Sequence, residues 1–295
     1  RDPEMSRGLG DVYKRQVYCL GQWGVTGKTV FDGKAVSERL TRIPKPEARG
    51  AFAYDAAEDG VHIGNIRWED DAQGPVKVYK KPAPGRPYVI GADTAGDGSD
   101  WFVGQVLDNV SGEQVAVLRH QYDEDTFSRQ MYCLGKWYND AMLAPEANFS
   151  TYPVKLLDLM GYRNLYVREI EDTFDGTIRH AYGFRTDRLT RPVIISELIR
   201  VMREHLETVN DEDTLLEMLT FVRDEKQRAA AEPGAHDDCV MALAIAHYVR
   251  PQQTMEVKRT AAAGTAAWRQ DMWDDFERAA PQEREMLLQK WGTPR

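Results

Sequence analysis

Apolar positions along the middle of the chain recur first with the two-residue period of strands and then with the period of helices. Residues 88–93, YVIGAD, are apolar on both faces up to the aspartate, the pattern of a central strand covered on both sides. Residues 101–107 and 114–120 alternate more openly, and Asp97-Gly98 and residues 109–112 supply turn chemistry, so the three runs predict an antiparallel meander. Phe127, Met131, Leu134 and Tyr138 follow at helical spacing behind an acidic first turn at Asp123 to Asp125, and lead to the short strand AMLAPEA, residues 141–147. Ser150 or Thr151 is placed to cap a helix through Leu156, Leu157 and Met160 that stops at Gly161, and NLYVREI, residues 164–170, returns as a strand. Strand, helix, strand implies a parallel pairing. Pro192 opens a helix with Val193, Ile194, Leu198, Ile199, Met202 and Leu206 on one face, and residues 237–249 form a last apolar helix. The fold class expected is α/β: a mixed sheet, three-strand meander plus parallel strands, with helices on its faces.

The flanks read differently. Residues 1–16 alternate charges and glycines without periodicity and are set aside as a non-native or disordered leader. Residues 17–81 are aromatic, glycine-rich and broken by Pro44 and Pro46, an irregular lead-in. The proline cluster KKPAPGRP, residues 80–87, marks entry into a main domain at 82–250. Residues 251–295 read as a linker and a helical tail, with Trp268, Met272 and Phe276 at intervals of four and then Met286, Leu287 and Trp291. Apolar residues on a tethered tail can dock a partner, although terminal packing is the plainer reading.

The chain has 295 residues, 42% of them hydrophobic, enough to bury a core. Lys plus Arg total 38 against 47 Asp plus Glu, a formal charge of −9, which excludes coating nucleic acid by bulk positive charge but leaves room for a local basic groove. Cys19, Cys133 and Cys239 form neither a disulfide framework nor a CxxC metal site, fit a reducing compartment and read as small buried hydrophobes. No apolar run approaches the roughly 20 residues that span a bilayer, so no membrane partner is expected.

The candidate chemistry is acidic. Asp93 ends a strand that offers only apolar groups, where a lone carboxylate costs several kcal/mol unless something pairs with it. Glu146 ends a second strand in the same way, and Asp237 and Asp238 open the last helix. One aspartate there is accounted for as a cap; two exceed what a cap requires. If the two strands are neighbours, three or four acids converge with no Lys or Arg in these motifs to neutralise them. Oxygen-only ligands of that kind suit Mg²⁺ or Mn²⁺, and a pair of such ions roughly 3.5–4 Å apart can hydrolyse a phosphodiester. Asp100 is a candidate auxiliary carboxylate or a turn residue, and His236 orients water or a ligand, or lies on the surface. Arg179, Arg185, Arg188 and Arg191 around GFRTDRLTRP hold DNA phosphates or form a solvated loop, and Arg223, Lys226 and Arg228 pose the same choice. GQWGVTGKT ends like a phosphate loop, but Gln22 occupies its required first glycine, so no ATP site is read in this chain.

YVIGADTAGDGSDWFVGQVLD, LAPEANFS, GFRTDRLTRPVIISELIRVM and GAHDDCVMALAIA, spread over residues 88–248, resemble in order and style the nuclease domain of tailed-phage terminase large subunits, the DNA-packaging motor proteins. The resemblance implies a ribonuclease H-like fold and a metal-dependent endonuclease that cuts concatemeric double-stranded DNA. It implies portal protein and terminase small subunit as partners, and the cytoplasm of the infected host as location. By motif, Asp93 is the first-strand ligand, Glu146 the second, and the Asp237-Asp238 pair the third, with Asp238 favoured. Many relatives carry a further acid three positions after the pair, where this chain has Met241. Residues 17–81 would then be the end of an upstream ATPase. Other readings are a junction resolvase or ribonuclease on the same fold, an actin-like kinase suggested by GADTAG but lacking further phosphate loops, and a docking module whose acids form a solvated face.

Overall fold

The computed structural model describes residues 29–94, 101–148, 150–171 and 178–253, together with 265–266, 276, 284, 287–288 and 293–294. Contacts divide the chain after Thr254. In the first unit, helix α1 (Gly33–Leu40) precedes strands β1 (Ala48–Ala56), β2 (Ile63–Asp70) and β3 (Val76–Val78). The meander follows as β4 (Tyr88–Asp93), β5 (Phe102–Asp108) and β6 (Gln114–His120), then α2 (Glu124–Trp137), β7 (Met142–Pro145) and α3 (Tyr152–Leu159). Strands β8 (Val167–Glu171) and β9 (Ile178–Tyr182), helices α4 (Thr190–His205) and α5 (Glu212–Thr220), strands β10 (Phe221–Arg223) and β11 (Ala229–Ala231), and helix α6 (Asp238–Val249) complete it. In the second unit the described pairing is parallel, Thr265–Ala266 with Thr293–Pro294; Trp268, Met272, Met286 and Trp291 lie outside the described residues.

Seven strands form one mixed sheet in the order β2-β1-β3-β6-β5-β4-β7. The meander pairs antiparallel from Tyr88↔Asp108 to Asp93↔Val103 and from Phe102↔His120 onward, while β7 runs parallel to β4 from Val89↔Met142 to Ala92↔Pro145. Strand alternation sends Tyr88, Ile90 and Ala92 to one face, against Phe127, Met131 and Leu134 of α2. Val89, Met142 and Ala144 face the other way, into a cluster with Ile194 and Leu198 of α4, Leu215 and Met218 of α5, and Val240, Leu243 and Ala244 of α6. Helix α6 is apolar around its whole circumference and buried from Cys239 to His247, as a helix sunk against the middle of a sheet must be. Gly91 permits that depth: a Cβ there would stand 2.3 Å from the Ala246 amide nitrogen and 2.4 Å from the Ala242 carbonyl oxygen.

The structure departs from the sequence reading at the start of the main domain and within it. Residues 48–78 are not an irregular lead-in; β1, β2 and β3 extend the sheet beyond β6. Phe52 packs edge-on against Trp68 and Trp137, which stack with each other, and the Gln130 side chain bonds both the amide and the carbonyl of Phe52. The expected parallel return of NLYVREI holds only around Leu165, which bridges Leu143; from Val167 the chain leaves as an antiparallel hairpin with β9 and comes back to bridge Glu146 at Phe184. Helix α4 starts at Thr190 rather than Pro192, because the Asp187 carboxylate accepts from the Leu189 and Thr190 amides. The turn at Asp97-Gly98 and Cys19 lie outside the described residues; Cys133 and Cys239 are free and buried. Among the described residues no helix is long and apolar enough to cross a membrane.

Candidate metal centre

The register of the two parallel strands brings the first two acids together. Val89, Gly91 and Asp93 alternate along the α6-facing side of β4, and Met142, Ala144 and Glu146 do the same along β7 and its continuation. The Glu146 amide donates to the Ala92 carbonyl at 2.9 Å, which carries the ladder one residue past β7 and sets Glu146 beside Asp93. The two carboxyl groups share a hydrogen bond. Glu146 is buried, and Asn148 secures it: the amide donates to Oε1 at 2.8 Å, while the Asn148 Oδ1 accepts from the Thr186 amide at 3.0 Å.

Helix geometry brings the third. Gly91 touches Ala242. From there Asp93 lies two strand residues onward, about 6.6 Å, and Asp238 lies four helical residues back, about 6 Å, toward the same end of the sheet. Asp238 opens α6, its side chain 15% exposed, with His236 Nδ1 at 3.6 Å from Oδ2. Asp237 occupies the cap position but makes no side-chain cap bond; its Oδ2 accepts from Arg191 Nη2 at 2.7 Å. Arg191 thus brings a cation to these acids from outside their own motifs, and it is engaged by Asp237.

Burial first, then the charge and hydrogen bond of Glu146 and the charges of Asp238 and Asp237, raise the Asp93 carboxyl well above the usual carboxylate range. Facing acids of this kind favour the protonated form of Asp93, and a bound cation would relieve the same repulsion. Among the described residues, no group of three or more His, Cys, Asp or Glu side chains is drawn into a ready coordination shell. The acids form a contacting pair with two neighbours whose charges reach it, and not the tight three- or four-acid cluster the spacing suggests. The donor set still fits a hard divalent cation in kind: oxygen ligands, a facing pair of carboxyl groups of which Glu146 is buried, and a further carboxylate at the helix start.

Other expected residues fall outside this gathering. Asp100 lies outside the described residues, Arg179 sits on β9 with its side chain outside them, and Arg185 and Arg188 are exposed on the loop before α4. Met241, at the position acidic in many proteins of the resembled family, is buried in the α6 core cluster. The sequence reading missed Asn148 and Glu217. Asn148 lies in the LAPEANFS run beside Glu146, and Glu217 is an acid flanked by apolar pairs in TLLEML; both placements were available as signals.

No protein-family model matches the chain, and no curated protein matches it in sequence. Solved structures do. The large terminase nuclease from thermophilic phage G20c with bound magnesium is 20% identical, with a TM-score of 0.51 over 75% of this chain and 97% of that one. The cobalt-bound form of the same nuclease gives the same identity, TM-score and coverage, and the form without a named metal gives 0.50 over 75% and 98%. Meander, parallel β7 and flanking helices together give this chain the ribonuclease H-like fold of a large terminase nuclease domain.

Proposed function

We propose that this chain is the nuclease part of a phage terminase large subunit, a divalent-metal-dependent endonuclease acting on double-stranded DNA. The observation that supports it most is the meeting of Asp93, Glu146 and the start of α6 at one end of the sheet, in the fold of a nuclease crystallised with magnesium and with cobalt. Asp93, Glu146 and Asp238 would hold Mg²⁺ or Mn²⁺, with two ions the working stoichiometry. Asp238 is preferred to Asp237 because Arg191 already occupies Asp237. Bound ions of this kind activate a water and stabilise the leaving oxygen of a phosphodiester.

The chain's own residues do the remaining work. Asn148 fixes the Glu146 carboxylate, Arg191 holds Asp237 aside, and His236 stands where it can orient a water near Asp238. Exposed Arg185 and Arg188, with Arg179, supply phosphate contacts that position the duplex without reading its sequence. In the virus the substrate would be concatemeric DNA, the partners the portal protein and small subunit, and the setting the host cytoplasm. Asp93→Asn and Glu146→Gln should abolish nicking of linear duplex while leaving the circular dichroism spectrum unchanged. Assays on a four-way junction and an RNA–DNA hybrid test the resolvase and ribonuclease readings; an inert duplex with a cleaved hybrid would reject the choice made here.

A further inference from the structure

The start of α6 is held by a residue that no part of the proposed chemistry uses. A helix leaves its first amides without partners inside the helix, and an aspartate at the cap position ordinarily bends back to accept from them. Asp237 does not: it makes no cap bond and turns to Arg191. The amides are taken instead by Glu217, reaching from α5. Its Oε2 accepts from the Cys239 amide at 2.7 Å and from the Val240 amide at 3.2 Å. Glu217 is 7% exposed. Gln105 of β5 holds the other side of the same residue, donating from Nε2 to the Cys239 carbonyl at 3.3 Å. Behind Glu217 stands Arg119, with Nη2 at 3.9 Å from Oε1 and its guanidinium 4.0 Å over the Trp101 ring. A buried glutamate side chain thus grips the backbone directly after Asp238.

We infer that Glu217 is a positioning residue for the metal centre: by capping α6 from outside, it releases Asp237 and Asp238 from capping and fixes the direction in which Asp238 faces Asp93 and Glu146. The inference rests on the metal-centre reading above. Outer-shell partners of this sort typically change metal affinity by about 10–100-fold when removed. What matters is the place of an acceptor oxygen, not the charge. Glu217→Gln keeps a carbonyl oxygen at the same reach, Glu217→Asp keeps the carboxyl group but withdraws it by one methylene, and Glu217→Ala removes it.

The test is calorimetric titration of Mn²⁺ into the full chain and these variants, with duplex nicking in parallel and circular dichroism to confirm folding. Glu217→Gln should bind Mn²⁺ within about two-fold of wild type, while Glu217→Asp and Glu217→Ala weaken it by about ten-fold or more. If Glu217→Ala does not fold, the Gln and Asp pair decides. Wild-type affinity in both Glu217→Asp and Glu217→Ala would overturn the inference, as would Glu217→Asp binding well where Glu217→Gln does not. Asp93→Asn separates the two claims: if it alone loses Mn²⁺, the metal centre stands and Glu217 has no positioning role. If it too binds like wild type, the metal-centre reading falls first and takes the inference with it.

Discussion

Asp93 and Asp211 are both aspartates set against the core of one sheet, and their neighbours are of opposite kinds. Asp211 is fully buried and accepts from Lys77 Nζ at 2.7 Å, Tyr79 OH at 3.0 Å, and the amide and hydroxyl of Thr214 at 2.9 Å each. Its surroundings extend that pattern: Gln114 Oε1 takes the Asn210 and Asp211 amides, and Gln114 donates to Gln105, which donates to Thr214. Burial works against the Lys77 charge, but Asp211 and Asp213 more than offset it and hold the ammonium above its usual range. Asp93 instead faces the carboxyl of Glu146, with the charges of Asp238 and Asp237 reaching it as well. A carboxylate surrounded by donors is complete and belongs to the structure. One whose nearest partner is another acid is incomplete, and a proton or a cation must finish it. That difference is the basis on which we propose scaffold and site in a chain with 47 acidic residues.

Breaking the complete side should have the largest effect. Lys77→Met leaves Asp211 buried without its countercharge and should lower the unfolding free energy by about 3–5 kcal/mol, measured by urea titration. A smaller loss is expected from Gly91→Ala, which drives a methyl into the α6 backbone. About 2–3 kcal/mol of stability should go, and duplex cleavage with it, because α6 carries Asp238.

At the far end of α6, His247 offers an intermediate case. It is buried, and among the described residues neither ring nitrogen has a hydrogen-bond partner. Burial, aided by the charges of Arg250 and Arg200 and opposed by Glu197, lowers it from 6.5 to about 3. Between those values the unfolded chain binds the proton and the folded one does not, so stability is full above pH 6.5 and falls as the pH drops toward 3. The loss at pH 5 should be on the order of 2 kcal/mol relative to pH 7, and His247→Gln should flatten that slope in urea titrations at the two pH values. The smallest change is expected on the incomplete side: Asp93→Asn removes one of two facing acids and should leave stability unchanged or raise it by under about 1 kcal/mol, read as the urea midpoint.

Legibility in the sequence followed the same division. The β4 and β6 boundaries and the acidic start of α2 at Asp123 to Asp125 were readable because each sets a polar residue at the end of an apolar pattern, although Asp123 itself is the cap and not part of the first turn. Asp93 and Glu146 were readable because an acid closing an apolar strand has no structural excuse within its own segment. Strands β1 to β3 were not readable: Phe52 is the sole large buried side chain of β1, β2 has no buried residue, β3 is three residues long, and the cluster they join includes α2 residues far along the chain. The start of α4 was misplaced because a turn ahead of the proline, in which the Asp187 carboxylate accepts from the Leu189 and Thr190 amides, leads into the helix. Glu217 and Arg191 stand out in the sequence, but what each holds depends on backbone and side-chain positions more than 20 residues away.

The claim that one site is finished by a cation and the other by protein donors is tested most directly by anomalous scattering from Mn²⁺-soaked crystals of wild type and Asp93→Asn. The account predicts a peak bounded by Asp93, Glu146 and Asp238 in wild type that is lost in the variant, with Asp211 unchanged in both. A wild-type crystal with no peak there, or a peak that survives in Asp93→Asn, would contradict it.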